Sequence, residues 1–130
     1  MSGPFIYIGT YTIKSGQLEE ARKRCAGEVI DLVEANEPRL IAFNIFFDEQ
    51  GSKLSVVQVH PDSDSMEFHM KLISEHLDGA FDYLDTTVSE QVYGTPSDTL
   101  SRVLAEYADP KVTATLMPIH VAGFTRASAR

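Results

Sequence analysis

The sequence has little that could cross-link the chain or anchor it in a membrane. It contains 130 residues but a single cysteine, Cys25, so no internal disulfide can form. One cysteine in a chain of this size is typical of a reducing compartment, and we expect a cytoplasmic protein. No stretch approaches the roughly 18 consecutive apolar residues of a membrane helix, and the N-terminus lacks the pattern of a signal peptide. We therefore expect no membrane partner.

Basic residues are scarce in the middle of the chain. Residues 48–109 carry 13 acids and 3 bases, whereas the remainder carries 6 acids and 8 bases, and the net charge is −8. Such a surface repels phosphate backbones and anionic lipids. These counts argue against nucleic acid as a partner and against an anionic ligand. A small apolar or aromatic molecule is the ligand that we expect.

Motifs for metals and nucleotides are also missing. The chain has four histidines, His60, His69, His76 and His120, and no two of them form an HExxH motif or a pair at i, i+4. His69 and His76 are separated by seven residues, about 10 Å along a helix, which is too far for both to bind one ion. No GxGxxG, GxxxxGK[ST] or GxSxG motif occurs. We predict no metal site.

The hydrophobic pattern predicts an alternation of strands and helices. Apolar residues at period two predict strands, and apolar residues at three-to-four spacing predict helices. The predicted elements are a strand over 5–13, a helix to about 36, strands over 40–47 and 54–60, a helix from about 64 to 84, a strand over 86–93, a helix over about 96–107, and an extended segment over 111–124 interrupted at Pro118. The run Asp62-Ser63-Asp64-Ser65 supplies candidate N-caps for the second helix.

This order of elements predicts the α+β class with a ferredoxin-like βαββαβ antiparallel sheet. The chain is then a single domain over 1–130, with its core over about 4–94 and an added helix and strand over about 95–130. Two helices cover only one face of such a sheet, yet the strands over 5–13 and 40–47 are apolar on both faces. A second copy of the same sheet is the economical cover for the other face. We therefore predict a homodimer.

Three sequence segments carry a family resemblance: the opening strand FIYIGTYTI, the segment KSGQLEEARK behind it and the strand-to-helix passage VVQVHPDSDSMEFHMKLISEH. They resemble the antibiotic biosynthesis monooxygenase-like family of the dimeric α/β-barrel superfamily, over about residues 4–93. The resemblance implies two subunits whose sheets pack face to face into a barrel, each with its own pocket between sheet and helices. Members of the family include cofactor-independent oxygenases of quinols and polycyclic aromatics, haem-degrading oxygenases and proteins without known activity.

The resemblance also bears on cofactors. The haem-degrading members rely on a pocket Trp and on an Asn in the first strand. This chain has no Trp and no Asn over 5–13. We therefore expect no cofactor.

The resemblance further implies a helix that bears two histidines, here His69 and His76, followed by Tyr83. On a helical wheel these residues and Ala80 share a line at the border of the buried face. A histidine at such a border is often only a half-exposed polar side chain. Facing a pocket, however, a neutral imidazole can take a proton from a phenolic or quinol substrate. His69 and His76 are therefore the candidate catalytic residues, and Tyr83 is a candidate substrate-binding residue.

The strands supply three further candidate substrate-binding residues, Tyr7, Tyr11 and Asn44. Tyr7 and Tyr11 share one face of the first strand. Asn44 lies within LIAFNIFF, where its amide either orients a ligand or bonds to neighbouring backbone or across the dimer. His60 precedes a proline and is expected in a solvated loop. Cys25 lies on the apolar face of the first helix, where we expect it to pack.

Two functional hypotheses follow from these residues. The first is a cofactor-independent monooxygenase that acts on a small aromatic or quinol-like molecule bound between sheet and helices. The alternative is a non-catalytic dimeric protein of the same fold that binds a small molecule or is purely structural. A concave, mostly apolar cavity with converging polar groups favours the first hypothesis. A pocket filled by Met and Phe side chains favours the second.

Overall fold

The sheet is built around β1 (Phe5–Ile13). The computed structural model, which describes residues 3–76, 79, 81–112 and 114–126, places β1 between β3 (Lys53–His60) and β4 (Leu84–Tyr93), antiparallel to both. The strand β2 (Ala42–Phe47) pairs antiparallel with β3, and β5 (Thr115–Met117) pairs parallel with β4. The strand order β2-β3-β1-β4-β5 confirms the predicted ferredoxin-like sheet with an added strand.

The first helical stretch begins and ends close to the predicted positions. Its first part, α1 (Leu18–Arg24), continues through a π-helical turn (Cys25–Val29) into α2 (Ile30–Asn36). Such a turn inserts one residue into the helical repeat and so changes which side chains face inward. Cys25 and Val29, at the two ends of this turn, are both buried. Cys25 packs as predicted, against Ala21, Leu54 and Tyr83.

The second helix, α3 (Ser63–His76), is shorter than predicted. It is capped by Asp62, whose Oδ1 accepts a hydrogen bond of 3.0 Å from the backbone N–H of Ser65. The predicted end near residue 84 is wrong. Gly79 has a φ of +76°, a left-handed conformation that ends a helical path, and Tyr83 lies in the turn before β4.

The C-terminal extension is joined to the core through α4 (Asp98–Tyr107). Its residue Leu100 is fully buried, in one cluster with Phe5, Tyr7, Met66 and Val92. Of the described residues in the extended segment predicted over 111–124, only the three residues of β5 form a strand. No described helix is long and apolar enough to cross a membrane.

Side chains alternate between the two faces of the sheet, and the described helices lie on only one face. The covered face carries Tyr7, Tyr11, Phe43, Ile45, Val56, Gln58 and Glu90. The opposite face carries Ile6, Ile8, Asn44, Phe46, Val57 and Val59. On this second face Phe46 is 60% exposed, and Ile6, Ile8, Val57 and Val59 are only partly buried. We call this second face the outer face.

Candidate functional site

A cavity of about 290 Å³ lies between the covered face of the sheet and the helices. Most of its wall is apolar, and the helix side includes Val29, Met66, Met70 and Ile73. The polar residues on its wall are Tyr7, Tyr11, Gln58, His69, Ser74, Tyr83, Thr87 and Glu90. Four of the six predicted site residues, Tyr7, Tyr11, His69 and Tyr83, are thus brought together at one cavity.

His69 projects from α3 into the cavity wall and is held there by Glu37. Its Nδ1 lies 2.6 Å from Oε2 of Glu37, the residue that follows α2, and both side chains are at least 95% buried. A carboxylate can only accept hydrogen bonds, so Nδ1 carries a proton, and in the neutral imidazole Nε2 is the nitrogen that presents a lone pair. Nε2 makes no hydrogen bond to any described residue. This arrangement fixes both the orientation and the tautomer of His69.

A second buried histidine, His60, packs against the ring of His69. His60 is fully buried at the end of β3, and its ring lies edge-on to that of His69, with centroids 5.8 Å apart. The Ser65 hydroxyl donates to Nδ1 of His60 (2.7 Å), and Nε2–H donates to Oε1 of Gln58 (2.9 Å). Burial, with the nearby His69, lowers the pKa of His60 to about 3. His60 is therefore a neutral structural residue, and the predicted solvated position is wrong.

Three polar side chains form a chain of hydrogen bonds on the β1 and β4 side of the cavity. The Tyr7 hydroxyl donates to Oε2 of Glu90 at 2.7 Å, and the Tyr11 hydroxyl lies 3.1 Å from that of Tyr7. Because the single proton of Tyr7 goes to Glu90, Tyr11 donates to Tyr7. Burial raises the pKa of both tyrosines, and for Tyr7 the neighbouring Tyr11 and Glu90 raise the pKa further. Both hydroxyls therefore stay neutral and act as donors.

Tyr83 closes the cavity beside the first helical stretch. It is 2% exposed, and its hydroxyl lies 3.2 Å from Sγ of Cys25. Burial raises the pKa of the Tyr83 hydroxyl and of the Cys25 thiol. A thiol that stays protonated is a weak nucleophile, so Cys25 is not suited to attack a ligand.

Two predicted site residues do not reach the cavity. Asn44 lies on the outer face and is exposed, because the alternation of β2 turns Phe43 and Ile45 inward instead. His76 is exposed at the end of α3, about 10 Å further along the helix axis than His69. The pocket positions predicted for Asn44 and His76 are therefore corrected. Ala80, which was placed on the same line as His69, lies outside the described residues.

The sequence does contain signals for the two acids that were not singled out. Glu37 follows the last residue of a helix, where the macrodipole disfavours a negative charge, so an acid at this position indicates a partner elsewhere. Glu90 shares its strand face with the buried Val92. An acid in an apolar row indicates a buried hydrogen bond or a site. Among the described residues, no group of three His, Cys, Asp or Glu side chains is arranged to bind a metal.

Comparison with known proteins shows similarity in structure. No protein-family model matches the sequence, and no curated protein gives a significant match. The crystal structure of MupZ from Pseudomonas fluorescens superposes with a TM-score of 0.73 at 21% identity, over 97% of this chain and 91% of MupZ. A candidate antibiotic biosynthesis monooxygenase from Caulobacter crescentus gives 0.60 at 14% identity, over 70% and 88%.

A third similar structure is a NIPSNAP family protein of unknown function from Agrobacterium tumefaciens, with a TM-score of 0.53 at 19% identity, over 69% of this chain and 86% of that protein. The structures that cover about 70% of this chain leave part of it unmatched, whereas MupZ matches almost all of it. The chain therefore has the fold of the antibiotic biosynthesis monooxygenase-like proteins, which MupZ and the NIPSNAP proteins share.

Proposed function

We propose that this protein is a cofactor-independent monooxygenase that oxidises a small hydroxyaromatic molecule in the cavity beneath α3. The observation that carries the proposal is the buried His69–Glu37 pair on the wall of an otherwise mostly apolar cavity. A shared fold does not by itself select a function, so the likeness to candidate monooxygenases is an analogy that agrees with this reaction class, and the site itself supports it.

The first step assigned to the site is a proton transfer. A substrate hydroxyl at Nε2 of His69 gives its proton to the imidazole, and Glu37 stabilises the resulting imidazolium through Nδ1–H. In this role His69 is the catalytic residue and Glu37 is a positioning residue. The energy of the phenolate is higher beside the apolar wall than it is in water. This difference favours the transfer of an electron from the phenolate to dioxygen.

Dioxygen is the co-reactant, and no further oxidant is needed. The phenolate passes an electron to dioxygen, the two radicals combine in a new C–O bond, and the peroxide takes the proton back from His69. Loss of water from the hydroperoxide then leaves a carbonyl group on the ring. One oxygen atom enters the quinone product and the other leaves as water, so that a phenol and one O2 give one quinone and one H2O.

The test compares oxygen uptake by the wild type and single variants on a panel of quinols and hydroxyaromatics. His69→Ala is expected to lower kcat by roughly 10²- to 10⁴-fold, as for loss of a general base. Glu37→Gln is expected to lower kcat with little change in KM, because Glu37 acts through His69 and not on the ligand. His76→Ala removes an exposed histidine from the same helix and is the matched control.

Two results would contradict this proposal. The first is that wild type consumes no oxygen with any member of the panel. The second is that the activity of His69→Ala equals the activity of the control His76→Ala. Binding of panel members without oxygen uptake would instead favour the alternative of a non-catalytic binding protein.

We also propose that two copies of the chain associate through their outer faces. The apolar side chains Ile8 and Val57 pair at the centre of this face, and Phe46 is exposed beside them. Water-exposed apolar area of this kind is stabilised when a second sheet covers it. Asn44 would then lie within the interface, where its amide could bond to the partner.

A further inference from the structure

Two groups of polar side chains lie on different sides of the cavity, one around His69 and the other around Glu90. His69 belongs to the β2 and β3 side, since its ring contacts Phe43 and His60 with centroids 5.4 and 5.8 Å away. Glu90 belongs to β4, which is separated from β3 by β1. Neighbouring strands lie about 4.8 Å apart, so roughly 10 Å separates Glu90 from the strand beneath His69. A ligand that touches both clusters must have a polar group at each end.

Glu90 is the hydrogen-bond acceptor of its cluster and can accept further hydrogen bonds. Its Oε2 accepts from Tyr7, whose own oxygen accepts from Tyr11, and Oε1 accepts no hydrogen bond from any described residue. A carboxylate has about four lone-pair sites, and a charged acceptor in an apolar cavity is strongly stabilised by an added donor. Glu90 is half-buried on the cavity wall, where a ligand can reach it.

The charge of the wall decides which ligand group is compatible with Glu90. Among the described residues no Lys or Arg lines the cavity, so none of their side chains compensates a second negative charge there. A ligand carboxylate or phosphate beside Glu90 would be repelled at low dielectric constant, whereas a hydroxyl can donate to it. Tyr7 and Tyr11 cannot take over as anion binders, because the Tyr7 proton is directed to Glu90 and the Tyr11 proton is directed to the Tyr7 oxygen.

We infer that Glu90 is a specificity-determining residue that accepts a hydrogen bond from a second hydroxyl of the substrate, at the end remote from His69. This inference rests on the proposed function and narrows its substrate class to aromatic diols of about two rings. The first hydroxyl is deprotonated at His69, and the second stays protonated at Glu90. Aromatic acids of the same size are excluded.

The test is calorimetric binding under anaerobic conditions, with three matched probes: naphthalene-2,6-diol, 2-naphthol and 6-hydroxy-2-naphthoic acid. Wild type is expected to bind the diol roughly tenfold more tightly than 2-naphthol, as for one hydrogen bond to a charged group. The acid is expected to bind more weakly than 2-naphthol. This comparison among ligands needs no variant and is therefore independent of any folding defect.

One variant and its control test whether the preference for the diol is due to Glu90. Glu90→Gln should reduce the ratio of diol to 2-naphthol affinity several-fold and should improve binding of the acid. Glu75→Gln, which removes the same charge from the exposed surface of α3, should leave all three affinities unchanged.

The inference is overturned if wild type binds the diol and 2-naphthol equally, binds none of the probes, or keeps its preference in Glu90→Gln. Oxygen uptake separates it from the proposed reaction. If wild type prefers the diol but consumes no oxygen, the proposed oxidation is wrong and the role of Glu90 stands. If wild type consumes oxygen but does not prefer the diol, the role of Glu90 is wrong and the proposed oxidation stands.

Discussion

Gly9 gives the ring of Tyr11 the space that it occupies on β1. A Cβ atom at position 9 would clash with the hydroxyl and with Cζ of Tyr11, which folds back along the strand toward Tyr7. Gly9→Ala should therefore displace the Tyr11 ring, break its hydrogen bond to Tyr7 and lower the free energy of unfolding by about 1 to 3 kcal/mol. Urea denaturation of wild type and variant measures this difference.

The control for this change is Gly27→Ala. Gly27 lies in the π-helical turn, and a Cβ there would meet no atom within 4 Å. Alanine has the higher helix propensity, so this variant should be unchanged or more stable by up to about 1 kcal/mol. Equal destabilisation by the two substitutions would show that the loss at position 9 is not specific to the contact with Tyr11.

Single residues also show where sequence reasoning reaches its limit. Period two correctly placed Tyr7 and Tyr11 on one face of β1, because alternation follows from strand geometry. The same alternation cannot show which face of β2 the helices cover, because both faces of this strand carry apolar side chains. Phe43, Ile45 and Phe47 lie on one face, and Phe46 lies on the other. The structure places Asn44 on the outer face and not on the cavity wall, where a ligand-orienting amide is expected. The Glu37–His69 pair joins residues 32 positions apart and has no local signature.

At the scale of elements, α4 depends on its N-cap. Ser97 Oγ accepts from the Leu100 N–H at 3.0 Å and donates to Oε2 of Glu67 at 2.7 Å, so one hydroxyl both caps α4 and joins it to α3. Ser97→Ala should lower the free energy of unfolding by about 1 to 2 kcal/mol. Thermal and urea denaturation check this value.

Ser101→Ala is the matched control, because Ser101 is exposed within the same helix and alanine suits that position. It should change stability by less than about 0.5 kcal/mol. If the two variants had equal stability, the Ser97 hydroxyl would contribute nothing to the attachment of α4.

The helices were predicted with unequal success for a physical reason. The end of the first helical stretch was correct, because Pro38 follows it and proline cannot continue a helix. The apolar stripe of the second helix runs past Gly79, and spacing alone cannot show that this glycine adopts a φ of +76°. Tyr83 reached the cavity nonetheless, from the turn before β4 and not from a helix.

On the scale of the whole molecule, the proposed dimer depends on the outer face of the sheet. The helices lie on the cavity side of the sheet, and the outer face presents Ile6, Ile8, Val57 and Val59 with the exposed Phe46. Light scattering at micromolar concentration should give twice the chain mass of 14.4 kDa. Phe46→Asp should shift this mass toward the monomer, because a buried unpaired charge is costly at an apolar interface.

Phe68→Asp provides the comparison for that experiment. Phe68 is 52% exposed on α3, on the helix side of the sheet, and is similar to Phe46 in type and exposure. It should leave the mass of the wild type unchanged, since it lies away from the outer face. A monomeric wild type would contradict the proposed dimer. A dimer that Phe68→Asp disrupts and Phe46→Asp does not would instead place the contact on the helices, with the sheet face left open to another partner.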